Sequence, residues 1–166
     1  MDKNPLMDDV FRIKAIDRRD FVLGAGAAAL LAGLLGTVPE ARAVAGSAEF
    51  EAALAELLKG ATPRTGGIDI DLPGSIENGD YVPVALGVES PMTAESYVKA
   101  IHLLSPANPR ARVATFSFTP LSGKARVTSV MRLAKTQEVV AVAELSDGTL
   151  LMSTRTVDVK VGGCGT

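Results

Sequence analysis

Residues 81–88 read YVPVALGV, and their apolar side chains recur at every second position: Val82, Val84, Leu86 and Val88. Successive side chains of a strand point to opposite faces, so this spacing gathers four apolar groups on one face of one strand. The same period continues on both sides. Upstream, Ile68, Ile70 and Leu72 alternate with Asp69 and Asp71. Downstream, YVKAIHLL (97–104), RVATFSFT (112–119), KARVTSVMRL (124–133), EVVAVAEL (138–145) and Leu150–Val161 read as further strands. ENGD, SPMT, SPANP, PLSGK and SDGT divide them, with Asn78, Asn108 and Pro109 as turn residues. Short strands at regular spacing predict an all-β domain, an antiparallel β-sandwich over residues 63–161.

One helix precedes it. In SAEFEAALAELLKG, Ser47 can cap the start, Gly60 can close the end, and Phe50, Leu54, Leu57 and Leu58 fall on one face at helical spacing. Residues 44–62 are therefore expected to form a short helix and a turn-rich linker to the sheets.

Residues 1–43 read differently. A charged leader ends in DRRDFVL, the uncharged run FVLGAGAAALLAGLLGTV follows, and PEARAVAGS closes it with small residues. That order is a secretory signal. The Arg18-Arg19 pair with Phe21 two residues on looks like a twin-arginine (Tat) signal, read by the Tat translocase. Cleavage is expected after Ala43 or Ala45, and the expected destination is the periplasm. The alternative is an uncleaved anchor, since the run nears the length of a membrane span; its many Gly and Ala residues make it weakly apolar for that.

Of 17 Lys and Arg and 19 Asp and Glu, six of each precede Val44, so the remainder keeps the net charge of −2. No basic patch points to nucleic acid. One His and one Cys cannot make a protein-only zinc site, so no metal and no cofactor are expected. His102, in AIHLL, reads as a structural histidine on a strand. The pairs Glu138/Glu144 and Asp69/Asp71 sit in strand alternation and read as solvated faces, so no catalytic residue is assigned.

Cys164 is the single cysteine, in VKVGGCGT (159–166). In the preceding strand Val157, Val159 and Val161 share one face and Thr156, Asp158 and Lys160 the other. Glycine lacks Cβ and visits conformations closed to other residues. Gly162, Gly163 and Gly165 are thus expected to make residues 162–166 a flexible tail, with a reach of about 10 Å from Val161 to Cys164. Alanine at both Gly162 and Gly163 would then leave melting unchanged. No base lies near Cys164 in sequence and no C-x-x-C motif is present, which argues against a catalytic thiol and against a thiol oxidoreductase. An odd cysteine also permits an intermolecular disulfide in a binding or assembly module. The remaining reading is a substrate attachment point served by another protein's chemistry.

The leader, IENGDYVPVALGVESPMT (76–93), YVKAIHLLSPANPRARVATFSFTP (97–120), VVAVAELSDGTLL (139–151) and the closing GGCGT together resemble the SoxY family, sulfur carriers of the bacterial thiosulfate-oxidising Sox system. The likeness runs from about Phe50 to Thr166. Thr166 stands where the family commonly has another glycine. The resemblance implies an immunoglobulin-like sandwich, covalent attachment of thiosulfate-derived sulfur at Cys164, and flexible flanks at Gly162, Gly163 and Gly165. It also implies partners: a SoxZ-like β-sandwich subunit, a c-type cytochrome that loads thiosulfate, a metal-dependent hydrolase that releases sulfate, and a sulfur dehydrogenase.

Overall fold

In the computed structural model, which describes residues 46–163, the chain enters as helix α1 (Ala48–Leu58). Ser47 stands in extended backbone before it, and its Oγ accepts a hydrogen bond from the Phe50 N–H at 3.2 Å. That bond satisfies one of the helix's free N–H groups. The helix ends where Lys59 turns left-handed (φ 49°), one residue before the glycine expected to close it. Phe50 and Ala53 are buried, and Leu54, Leu57 and Leu58 are half-buried, so the expected apolar face is the packed one.

Nine strands follow: β1 (Arg64–Thr65), β2 (Asp69–Asp71), β3 (Ser75–Asn78), β4 (Val82–Val88), β5 (Val98–Leu104), β6 (Arg112–Ser117), β7 (Ala125–Met131), β8 (Gln137–Leu145) and β9 (Leu150–Val161). A single 3-10 turn, Pro120–Ser122, joins β6 to β7. The large sheet runs β1-β9-β8-β5-β6, with β3 also on β9; the small one runs β2-β4-β7. Val82, Val84 and Leu86 of β4 face Ile101, Leu103, Val139 and Ala141 of the large sheet across the core. The two-residue period of YVPVALGV is thus the inner face of the small sheet.

The sandwich is not wholly antiparallel. β1 and β3 both run parallel to β9, Arg64 opposite Leu151 and Ile76 opposite Val159. The chain lays β1 on the first half of β9, crosses as β2 to the other sheet, and returns as β3 along the second half of β9. Neither short strand has the alternation that marks β4, because each supplies backbone pairing more than buried side chains.

β8 explains the unbroken apolar run VVAVA. Val139, Ala141 and Ala143 face the small sheet, while Val140 and Val142 face outward under α1, with Phe50, Leu104 and Ala111. A strand covered on both faces needs no polar alternation. Two hydrogen bonds fix the helix there: the Ser47 N–H donates to the Pro106 carbonyl at 3.1 Å, and Glu49 Oε1 accepts from the Ala111 N–H at 3.3 Å.

Phe50, with no exposed surface, is the anchor of this second, smaller core. Phe50→Ala is expected to lower stability by about 3 kcal/mol. Hydrogen exchange should show the α1 amides opening before those of β8; simultaneous opening would mean that the helix is not a separately docked layer.

Candidate functional site

The end of β9 carries the segment that the sequence singles out. Three backbone stretches cross there. The Gly79 N–H donates to the Val161 carbonyl at 2.8 Å, the Leu133 N–H to the Gly79 carbonyl at 2.9 Å, and the Gly163 N–H to the Leu133 carbonyl at 2.9 Å. Leu133 thus uses both of its backbone groups in this crossing, and its side chain is fully buried in the main core.

The crossing leaves no room for side chains. A Cβ on Gly162 would collide with the Ala134 carbonyl, and one on Gly163 with the Gly79 carbonyl and the Asp80 nitrogen. A Cβ on Gly79 would strike the Leu133 carbonyl and come within 2.8 Å of the Gly163 nitrogen. None of the three has a positive φ; glycine is required by close backbone approach. The expectation for Gly162 and Gly163 is corrected accordingly. Both belong to a clamped root, Gly163 is buried, and free chain begins no earlier than the bond to Cys164. The reach falls from about 10 Å to the ~3.8 Å between consecutive Cα atoms.

Around the root several polar groups are engaged. Asn78 Oδ1 accepts from the Asp80 N–H at 2.8 Å, which shapes the turn that presents Gly79. Thr136 Oγ1 donates to Asp158 Oδ1 and accepts from the Val159 N–H, each at 2.9 Å, tying the loop after β7 to β9. Lys160 Nζ lies 2.6 Å from Asp158 Oδ2. Hydrogen bonds from Lys160 and Thr136 hold the Asp158 carboxyl below the usual range. Lys160, the cation nearest Cys164 in sequence, therefore already has an anionic partner.

Asn108 closes the expected turn, its N–H donating to the Ser105 carbonyl at 3.3 Å, and has a second role besides. It is a buried side chain bonded to the loop between β7 and β8. No periodicity or motif in SPANP distinguishes such a bracket from a turn residue.

Of the four carboxylates given no role, Asp71 is exposed and the other three are surface groups in local pairs. Glu144 lies 3.2 Å from Lys99, Asp69 lies 3.5 Å from Arg126, and Glu138 accepts from Thr154 Oγ1 at 2.7 Å. Among the described residues no three His, Cys, Asp or Glu side chains gather as a metal site. Cys164, Gly165, Arg18, Arg19 and Phe21 lie outside the described residues.

The family model of sulfur oxidation protein SoxY matches residues 54–164. The chain belongs to the SoxY family. Among solved structures, the sulfur carrier protein SoxY from Chlorobium limicola f thiosulfatophilum is similar at 30% identity and a TM-score of 0.54, over 68% of this chain and 97% of that one. A superoxide reductase (neelaredoxin) from Ignicoccus hospitalis, 19% identical, has a TM-score of 0.50 over 66% of this chain and 90% of its own. At that identity only the fold is shared. A comparison with curated proteins gives no match. Membership in SoxY makes this a sulfur-oxidation protein of carrier type, and the sandwich is the one that family has.

His102 lies half-buried on the outer face of the large sheet, Nδ1 3.0 Å from Thr115 Oγ1. Burial holds its pKa below 6.5; Glu144 opposes that effect and Arg112 adds to it. Between the native value and 6.5 the unfolded chain binds more protons than the folded one, so stability falls as pH drops through that window.

Two predictions follow from this geometry. Alanine at Gly162 or Gly163 should each lower stability by about 1–3 kcal/mol, as overpacking does. Gly74→Ala, where the space is open, should change it by less than about 0.5 kcal/mol. Urea unfolding of the three variants checks this, and equal midpoints would mean that the root is not clamped. For His102, His102→Gln should lose less stability than wild type between pH 7 and pH 5; parallel losses would place the titration elsewhere.

Proposed function

We propose that this SoxY protein is exported to the periplasm by the twin-arginine route, and there holds thiosulfate-derived sulfur covalently on Cys164 for partner enzymes. The observation that carries the reading is where the family match ends. It reaches residue 164, one bond past the clamped Gly163. The cysteine is thereby tied to the end of a fixed strand.

The chemistry asked of the chain itself is small. Loading joins the Cys164 thiolate to the outer sulfur of thiosulfate. A sulfur–sulfur bond forms, and two electrons leave, one at a time, through a c-type cytochrome to its electron acceptors. Hydrolysis by a metal-dependent partner then breaks the bond between sulfur and the sulfonate group. Water supplies the fourth oxygen of sulfate, two protons are released, and Cys164 keeps a persulfide. A sulfur dehydrogenase, where present, oxidises that sulfur further. Each step draws its acid, base, metal or oxidant from the partner, in keeping with a root whose Lys160 and Asp158 are paired with each other.

Presentation needs surfaces as well as a thiol. Tyr81 and Val161 stand 72% and 62% exposed, within two residues of Gly79 and Gly163. Large apolar side chains at the root give a receiving enzyme contact area, and a reach of one peptide obliges that enzyme to touch the domain. A SoxZ-like sandwich is the stable companion in this reading, and it is the domain rather than Cys164 that binds it.

Cys164→Ser tests both parts. With thiosulfate and the partner enzymes, the wild-type chain should gain sulfur adducts by intact mass and the variant none, while both co-sediment with the companion subunit. Full thiosulfate-dependent activity of the variant would end the carrier reading. A doubled wild-type mass without adducts would favour a disulfide-linked module, and a lone monomer from native periplasm would remove the companion.

A further inference from the structure

The geometry points to Asn108 as the positioning residue for the carrier segment, acting through Leu133 on the root at Gly163. The inference rests on the carrier reading above.

Asn108 lies in the loop between β5 and β6 and is 8% exposed. Its Nδ2 donates to the Arg132 carbonyl at 2.8 Å, and its Oδ1 accepts from the Ala134 N–H at 2.9 Å. Those two residues flank Leu133. One planar amide therefore brackets the residue whose own N–H and carbonyl hold Gly79 and Gly163. The bracket needs a donor and an acceptor on one short head; Asp offers no donor when ionised, Ser is too short to span both, and Ala offers neither.

The amide is itself fixed from behind. Gln137 Nε2 donates to Asn108 Oδ1 at 3.1 Å and to the Lys135 carbonyl at 3.1 Å. Gln137 Oε1 accepts from Ser105 Oγ at 2.7 Å and from the Ala107 N–H at 2.9 Å. No described buried side-chain polar atom lacks a partner. A fully satisfied buried network has one low-energy arrangement, so it transmits position rather than slack. The order of contact is Gln137, Asn108, the peptides on either side of Leu133, and then Gly163. Its last member decides where the next residue, Cys164, sets out from the domain.

The test compares Asn108→Ala with Leu86→Ala in the full mature chain. Leu86 is a core residue of β4 four positions from Val82, remote in the sheet from the crossing. Asn108→Ala should speed exchange of the Gly163 amide, relative to the core amides of β8, by about tenfold or more. It should also raise the apparent KM for the carrier in thiosulfate loading by the partner cytochrome about tenfold, since misplaced reacting groups lose rate steeply. Alkylation of Cys164 by iodoacetamide, which needs no docking, should stay at the wild-type rate. Leu86→Ala should melt lower yet keep the wild-type relative exchange and loading. If Asn108→Ala does not fold, Asn108→Asp keeps the acceptor for Ala134, removes the donor to Arg132, and carries the same measurements. Unchanged Gly163 exchange overturns the proposal. So does faster exchange with wild-type loading, or a Leu86→Ala variant that behaves in the same way. A wild-type chain that takes up no thiosulfate overturns the carrier reading instead, and the exchange arm still decides whether Asn108 holds Gly163.

Discussion

Leu133 joins two demands that seldom meet in one residue. Its side chain is buried among the core of the sandwich, and its peptide groups are the middle of a crossing that ties the turn after β3 to the residue before Cys164. Three chains can approach that closely only where Cβ atoms are missing, which is why Gly79, Gly162 and Gly163 stand there. The position of Gly163 thus follows from core packing. Whatever holds Leu133 in the core also holds the point at which Cys164 leaves.

The sheets were legible because their period is strong. Val82, Val84 and Leu86 alternate, and Leu150–Val161 matches β9 at both ends. The helix was legible for the same reason, with Ser47 as its cap and Phe50 on its packed face. β1 and β3 were not, since two and four mostly exposed residues carry no apolar period and their parallel pairing with β9 depends on a partner about eighty residues away. The glycines mislead for a related reason. A run of Gly before a terminal cysteine reads as freedom, because sequence shows a missing Cβ but not whether the space is needed by other backbone. Asn108 gives the mirror case: a Pro-flanked Asn reads as a turn, and only the fold brings residues 132 and 134 to its two ends.

Sandwiches of this shape serve unlike chemistries. The likeness to a superoxide reductase at 19% identity is one of architecture, and a fold shared at that distance leaves function to the site. In this chain Asp69, Glu138, Glu144, Asp158 and Lys160 are hydrogen-bonded or in local pairs, and the SoxY family assignment supplies what the architecture alone does not. The distinctive element is the end of one strand together with the loops that grip it.

β9 lies between β8 on one flank and β1 and β3 on the other, and the chain past its end leads through Gly162 and Gly163 to Cys164. A pull on the end of β9 along the strand acts on both flanks at once. Such a load shears the antiparallel ladder to β8 and the parallel ladder to β3 together, so many hydrogen bonds share it at once. A segment hung from an edge strand would be peeled one bond at a time. The interior position of β9 makes the domain a mechanical anchor for whatever is held at the strand's end.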